Sequence, residues 1–446
     1  MPWLFFYKKI RRILMKEQII KIANDLQNEM IILRRDFHKH AETGWTEFRT
    51  AAIVAKYLED CGYKVLVGDE VMKEETIMAL PPPEVLSQHM ERARNQGAPT
   101  KYLDKMQGGK LGVVGILETG KPGPTIGFRF DMDANDLVES NDPEHRPVKE
   151  GFASINEGAM HGCGHDGHTA IGLGLAKTLM QICDALVGTI KLVFQPAEEG
   201  VRGAASMVAN ADDMDYIFGM HIGFKADKTG KLICGTNGFL ATNKFDAIYK
   251  GVPAHAGAKP EEGKSALLAA AAATLAMQGI YRHSAGASRI NIGVLEAGTG
   301  RNVVPDRAVI KLETRGETSE ICSFTSNEAI RILRAASEMY DTPVEIKEMG
   351  GAVSADSDPE MVAFAREVAE DLGIFDDIQD TADLGASEDV TYFMNRVQEN
   401  GGKASYLMVG ADIAAGHHDK LFDFDEGVLT KSVIVLATMA HRLGQQ

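Results

Sequence analysis

Thr125-Ile-Gly-Phe-Arg-Phe130 and Thr189-Ile-Lys-Leu-Val-Phe194 are nearly continuous apolar runs, and the stretch between them carries a helical pattern over residues 168–182. Strands without polar alternation are buried on both faces, so with helices interposed they predict an α/β fold built on a mostly parallel sheet covered on both sides. Sheets of this kind bind ligands at the carboxyl ends of their strands. The same alternation extends outward to Val113-Val-Gly-Ile-Leu117 on one side. On the other it resumes after Gly350-Gly351, with helices over 359–372 and 387–400, a strand over 404–409 and a last helix over 426–443.

Between these halves the order changes to a strand over 244–251, an Ala-rich helix over 265–281, strands over 289–295 and 308–314, a helix over 319–340 and a strand over 343–348. That is the β-α-β-β-α-β order of a ferredoxin-like domain. A compact domain, 242–350, is therefore expected to interrupt a larger one formed by 1–241 and 351–446. The chain starts with helical patterns over 18–38 and 51–58, and a Pro-punctuated insert over 70–109 contains Pro81-Pro-Pro83 and an amphipathic helix over 84–107.

At 446 residues, 44% apolar and 25% charged, the composition is that of a globular protein of two or three domains and excludes a disordered or disulfide-framed one. The net charge of −16 argues against nucleic acid and anionic membranes as partners, and an anionic substrate would need a local basic pocket. Five scattered cysteines fit a reducing compartment, hence the cytoplasm. Trp3-Leu-Phe-Phe-Tyr7 precedes its basic residues, the reverse of a secretory signal, and is too short to span a bilayer. Met15 is read as the natural start, with 1–14 an extension.

His161-Gly-Cys163-Gly-His165-Asp166-Gly-His168 packs three imidazoles, a thiol and a carboxylate into eight residues. That density suits a transition metal, although alone it also fits a surface histidine patch or a helix N-cap region. Glu198-Glu199 follows the strand ending at Phe194, where one carboxylate can bind metal while its neighbour meets a water; a solvated acidic loop is the alternative. Asp131-Met-Asp133, His221 and Gly416-His417-His418-Asp419 add weaker signals at three further strand ends. Four strand ends offering His, Asp, Glu or Cys in one α/β domain point to a shared centre.

These residues resemble the co-catalytic metallopeptidases and amidohydrolases, the family of glutamate carboxypeptidase, aminoacylase and the indole-acetyl-amino-acid hydrolases. The match covers nearly the whole chain after Met15. Asp131-Met-Asp133-Ala, Met160-His-Gly-Cys-Gly-His-Asp-Gly-His168, Gln195-Pro-Ala-Glu-Glu-Gly200 and His418 before Phe422-Asp-Phe-Asp-Glu426 carry the likeness to the amidohydrolase branch. Within it, Trp45-Thr-Glu-Phe-Arg49, the 70–109 insert and Ala415-Gly-His-His418 are similar to the aminobenzoyl-glutamate hydrolases.

The resemblance implies two divalent ions held by Cys163, His165, Glu199, His221 and His418, with Cys163 in the place of a bridging carboxylate and His417 as the alternative to His418. Asp131 stands where other members carry a first histidine ligand. Glu198 becomes the general base, acting on a water between the ions, and Asp133 joins the catalytic set. Thiolate and imidazole favour zinc, whereas the likeness to the aminobenzoyl-glutamate hydrolases favours manganese. The inserted domain resembles a lid and homodimerisation domain, in which His255 reaches the partner subunit's site to donate to the scissile carbonyl. Arg315, with Asn302 beside it, is expected to bind the substrate's α-carboxylate, with Lys244, Lys259 and Arg301 as further cations. The implied substrate is p-aminobenzoyl-glutamate, split to p-aminobenzoate and glutamate, with or without a related B subunit. An N-acyl-amino-acid amidohydrolase of other specificity and a silent member of a heteromer are the competing readings.

Overall fold

The computed structural model describes residues 2–445, with side chains from Arg11 onward. Its large sheet has eight strands, in the order Lys64–Val67, Val113–Glu118, Thr189–Gln195, Thr125–Asp131, Tyr216–Ile222, Lys403–Val409, Lys231–Asn237 and Asp377–Asp383. The four central strands, from Thr189–Gln195 to Lys403–Val409, are mutually parallel. Antiparallel pairings flank them, so Val113–Glu118 runs against its neighbours instead of extending the parallel set. The apolar runs behave as their pattern requires: Phe128 stacks on Phe218 at 5.8 Å and Phe130 packs on Phe194 at 5.4 Å, all buried.

One face of the sheet is covered by the helix His165–Gln181, which packs against Gln27–Lys39 and Gly427–Leu443. Gly172 permits this approach, because a Cβ there would lie 2.6 Å from the Phe194 ring. The first helix runs Pro2–Asp25 and a second Gln27–Lys39, where the sequence pattern suggests one helix over 18–38. The insert's expected helix over 84–107 is also two, Pro83–Asn95 and Thr100–Leu103, because Gly97 at φ 82° and Pro99 break it. The insert is tied down by Trp45 Nε1 donating to the Met78 carbonyl (2.9 Å), Arg49 Nε to the Gln96 carbonyl (3.0 Å) and Arg92 to Glu42 (3.2 Å).

The interrupting sheet is antiparallel, in the order Ser288–Ala297, Arg307–Gly316, Ala241–Lys250, Val344–Ala352, with Ala266–Met277 and Ser319–Tyr340 packed on it. Among the described residues no helix is long and apolar enough to cross a membrane, and all five cysteines are free.

The helix layer encloses a charge cluster. Arg34, fully buried, pairs with Asp166 at 2.8 Å, Asp423 at 2.8 Å and Glu426 at 3.4 Å, joining three segments distant in sequence. Asp423 and Glu426 also meet Arg146 and Arg35, and Asp166 meets His38, but removing the one fully buried cation common to all three acids costs about 3–5 kcal/mol. Arg34→Met should lower the unfolding free energy by about that amount in chemical denaturation; a loss under about 1 kcal/mol would show that the acids there need no cation.

Candidate active site

The carboxyl ends of the four parallel strands meet the N-terminus of the helix His165–Gln181 around a cavity of about 380 Å³, lined by Cys163, Glu198, Glu199, His221 and His418 among others. Gly164 caps that helix at φ 94°, a left-handed turn that lets Cys163 and His165 face the same space. Cys163, His165 and His221 each offer a ligand atom within 4.8 Å of the others, as do Cys163, Glu199 and His418, and His165, Glu198 and Glu199. The five residues expected as ligands thus form one cluster, with Cys163 common to two of the groups.

Hydrogen bonds fix which nitrogen each histidine presents. His165 Nδ1 donates to the Asp133 carbonyl (2.9 Å), leaving a buried Nε2 with no partner. His221 Nδ1 donates to the Ile222 carbonyl (2.7 Å), and its Nε2 lies 3.5 Å from Cys163 Sγ. Imidazoles anchored through one nitrogen with the other bare and buried are what a metal site needs. His418 Nε2 sits 3.3 Å from Glu199 Oε1, and hydrogen bonding to Cys163 and Glu199 pushes its pKa up to about 10. A divalent cation takes the place of such a proton when the ligands around it are deprotonated. His417 lines the cavity too, but its Nε2 is spent on the Ile222 carbonyl (3.1 Å) and its ring stacks on Phe224.

Asp131 borders the cluster, 3.8 Å from His165 Nε2, but its carboxylate is held by Arg129 and by His168 Nδ1, each at 2.6 Å. The other nitrogen of His168 accepts the Ile222 N–H at 3.0 Å, so that ring has no free atom to offer. Asp133 accepts the backbone N–H groups of Glu198 (3.0 Å) and Glu199 (2.8 Å), fixing the loop that carries the adjacent acids. Glu198 is 8% exposed. Burial, reinforced by the carboxylates of Glu388, Glu199 and Asp389, holds its pKa well above the usual carboxylate range.

Glu388 and Asp389 are the site residues that sequence reasoning misses. The pattern assigns 387–400 to a helix, but the helix begins at Thr391, and Ser387-Glu388-Asp389 enters the site as a loop. Asp389 accepts from Gln195 (2.8 Å) and from the Gly203 and Ala204 N–H groups (3.1 and 3.0 Å); Tyr406 donates to Glu388 (3.0 Å). An acid pair preceding a helix on the same edge as Glu198-Glu199 is the signal that could have found them.

The residues expected to reach the site from the interrupting domain divide. Arg315 lines the cavity, with Nε and Nη2 bound to Glu313 at 3.0 and 3.2 Å. His255 and Asn302 are exposed and do not line it. Asn302 is not beside Arg315, as expected, but beside His255: its carbonyl accepts the Ala256 N–H at 3.0 Å. Between the two in sequence runs the strand Arg307–Gly316, whose stretch from Arg307 to Arg315 alone spans about 26 Å at the rise of an extended chain.

Sheet, inserted domain and ligand-bearing strand ends together define a metallopeptidase-type fold and site. Residues 127–442 match Peptidase family M20/M25/M40, and the chain belongs to that family. It is 50% identical over 415 residues to an indole-3-acetyl-aspartic acid hydrolase of Enterobacter agglomerans, covering 92% of this chain and 95% of the relative. To one of the subunits of the p-aminobenzoyl-glutamate hydrolase of Escherichia coli it is 49% identical over 427 residues, covering 95% and 98%. A crystal structure of an aminobenzoyl-glutamate utilization protein from Klebsiella pneumoniae superposes with a TM-score of 0.82 at 43% identity, covering 95% of this chain and 97% of that one.

Cys163→Ser replaces a potential thiolate by a hydroxyl that stays protonated at neutral pH. It should weaken divalent-metal affinity about tenfold or more, measured by competition with a chromophoric chelator. Unchanged affinity would make Cys163 a packing residue.

Proposed function

We propose that the chain is a metal-dependent amidohydrolase that cleaves p-aminobenzoyl-glutamate to p-aminobenzoate and glutamate. The observation that carries this reading is a buried carboxylate of raised proton affinity, Glu198, beside a cluster of five metal-ligating side chains. Cys163, His165, Glu199, His221 and His418 would hold two divalent ions, manganese in the native protein with zinc as the alternative. When bound, such ions polarise the scissile carbonyl and lower the pKa of the attacking water. Glu198 takes that water's proton and returns it to the departing nitrogen, a task its high proton affinity suits. Asp133 acts as a positioning residue, since both its oxygens hold backbone amides of the Glu198-Glu199 loop.

Residues 242–350 form the lid and homodimer domain in this reading, and His255, with Asn302 beside it, serves the partner subunit's site, consistent with its distance from its own. Arg315 offers the substrate α-carboxylate the Nη1 that its pair with Glu313 leaves outside. A cytoplasmic setting accompanies this substrate, and a related B subunit is a further candidate partner because the Escherichia coli relative is named as one component of a multi-subunit hydrolase. The second reading, an N-acyl-aspartate substrate, is favoured by the 50% identity to the indole-3-acetyl-aspartic acid hydrolase.

The purified chain, loaded with manganese or zinc, should release p-aminobenzoate from p-aminobenzoyl-glutamate. Glu198→Gln should slow release by about 10²- to 10⁴-fold while retaining metal; near-normal turnover in that variant would reject Glu198 as the base.

The lid assignment has its own test. Mixing inactive His255→Ala and Glu198→Gln chains should restore part of the activity, because one site of each mixed dimer then draws both intact residues. Silence in mixed dimers shown to form by native mass spectrometry would return His255 to its own chain or to no site.

A further inference from the structure

Arg315 and Lys244 are the only arginine or lysine lining the cavity among the described residues, and they are in different states. They lie on adjacent lid strands whose register sets Lys244 opposite Glu313 and Arg315 opposite Thr242. The two cations are therefore diagonal neighbours, about 7 Å apart at Cβ. Glu313 is the carboxylate placed to neutralise either, and Arg315 takes both of its oxygens. Lys244 is left half-buried, and its ammonium makes no hydrogen bond or close ion pair among the described residues, with Glu313 and Glu198 acting on it only at longer range.

A partly desolvated ammonium without a close counter-ion gains when an anion arrives to meet it. Burial pulls the Lys244 pKa down, with Glu313 and Glu198 pulling the other way. The acids across the cavity make no close pair with it: Glu199 faces His418, and Glu198 lies among Glu388 and Asp389. A substrate with two carboxylates can, and both N-acyl amino acids named for the relatives of about 50% identity end in a dicarboxylic residue.

We propose that Lys244 is the specificity-determining residue that binds the side-chain carboxylate of an N-acylated acidic amino acid, leaving the α-carboxylate to Arg315. This rests on the amidohydrolase reading and adds the reason the site would prefer glutamyl or aspartyl over neutral residues. Two cations about one pleat repeat apart on a rigid sheet match two carboxylates separated by a short aliphatic stem. The lysine, a point charge on a flexible stem, accommodates either stem length.

The test compares p-aminobenzoyl-glutamate with p-aminobenzoyl-glutamine, which differ only at the side-chain carboxylate. In Lys244→Met the ratio of their kcat/KM values should fall about 10- to 100-fold, chiefly through KM for the glutamate compound. Lys244→Arg should retain most of the ratio, which a merely structural lysine would not require. An equal loss on both compounds would overturn the proposal and assign Lys244 to the charge balance of Glu198; so would a wild-type enzyme indifferent to the amide. Calorimetric Kd values in Glu198→Gln, with and without Lys244→Met, separate this from the reaction itself. A Lys244-dependent binding preference without wild-type hydrolysis would reject the reaction and support Lys244, whereas hydrolysis with no such preference would do the reverse.

Discussion

Arg129 sits buried near the end of a central strand, and its guanidinium holds a site made largely of acids. It pairs with Asp131 at 2.6 Å, Asp389 at 3.0 Å and Glu388 at 3.1 Å, and donates to Gln195 at 2.8 Å. Burial opposes its charge, but the three carboxylates overcome that and raise its pKa well above the ordinary value. The acids feel the same crowding: burial pushes Asp389 up to about 7 even with Arg129 against it. Each contact carries order onward. Asp131 orients His168, which accepts the Ile222 amide beside His221, while Asp389 holds the turn that follows Glu198 and Glu199. One cation thus fixes both the histidine side and the carboxylate side of the cluster, a network whose parts stand or fall together.

The parts of this arrangement that follow from apolar periodicity are legible in the sequence. The central strands, the interrupting β-α-β-β-α-β order and the crowded His161–His168 stretch all announce themselves through residue type and spacing. Asp377-Ile-Gln-Asp-Thr-Ala-Asp383 does not, because an edge strand with most of its side chains in water needs no apolar face. Ser387-Glu388-Asp389 merges into a helix pattern for a related reason. Acids in a first turn are what a helix N-terminus favours, so the same letters serve a cap and a buried site. Only the strand ends that surround them tell the two apart, and that is a long-range fact. The place of Asn302 is of this kind too: closeness to Arg315 in sequence hides a whole strand of separation.

The pair His417-His418 shows how backbone geometry makes such a choice. His418 has φ 65°, a left-handed conformation that costs a residue with a Cβ of order 1 kcal/mol or more. The turn sends its ring to Glu199 and sends His417 to the Ile222 carbonyl. That carbonyl also accepts from His221 Nδ1, so one oxygen anchors two imidazoles and leaves His221 Nε2 facing Cys163. The strain at His418 sits where four strand-end loops must converge, and convergence is what overrides it.

Charge is also partitioned between the two domains. The large sheet's strand-end loops carry buried acids, while strands of the interrupting sheet bring Lys244 and Arg315 to the same cavity. The interrupting sheet joins the large domain where Gly351 N–H donates to the Val201 carbonyl at 2.8 Å, and a Cβ at Gly350 would lie 2.3 Å from the Gly200 carbonyl. The returning strand Val344–Ala352 therefore rests directly on the loop that bears Glu198 and Glu199. That loop is also held by the Asp133 carboxylate, by the Asp389 clamp and by Glu47, which accepts the Ala197 N–H at 2.7 Å. The strands that carry Lys244 and Arg315 and the loop that carries Glu198 are in this way joined through one short backbone contact, which accounts for a glycine where the strand returns.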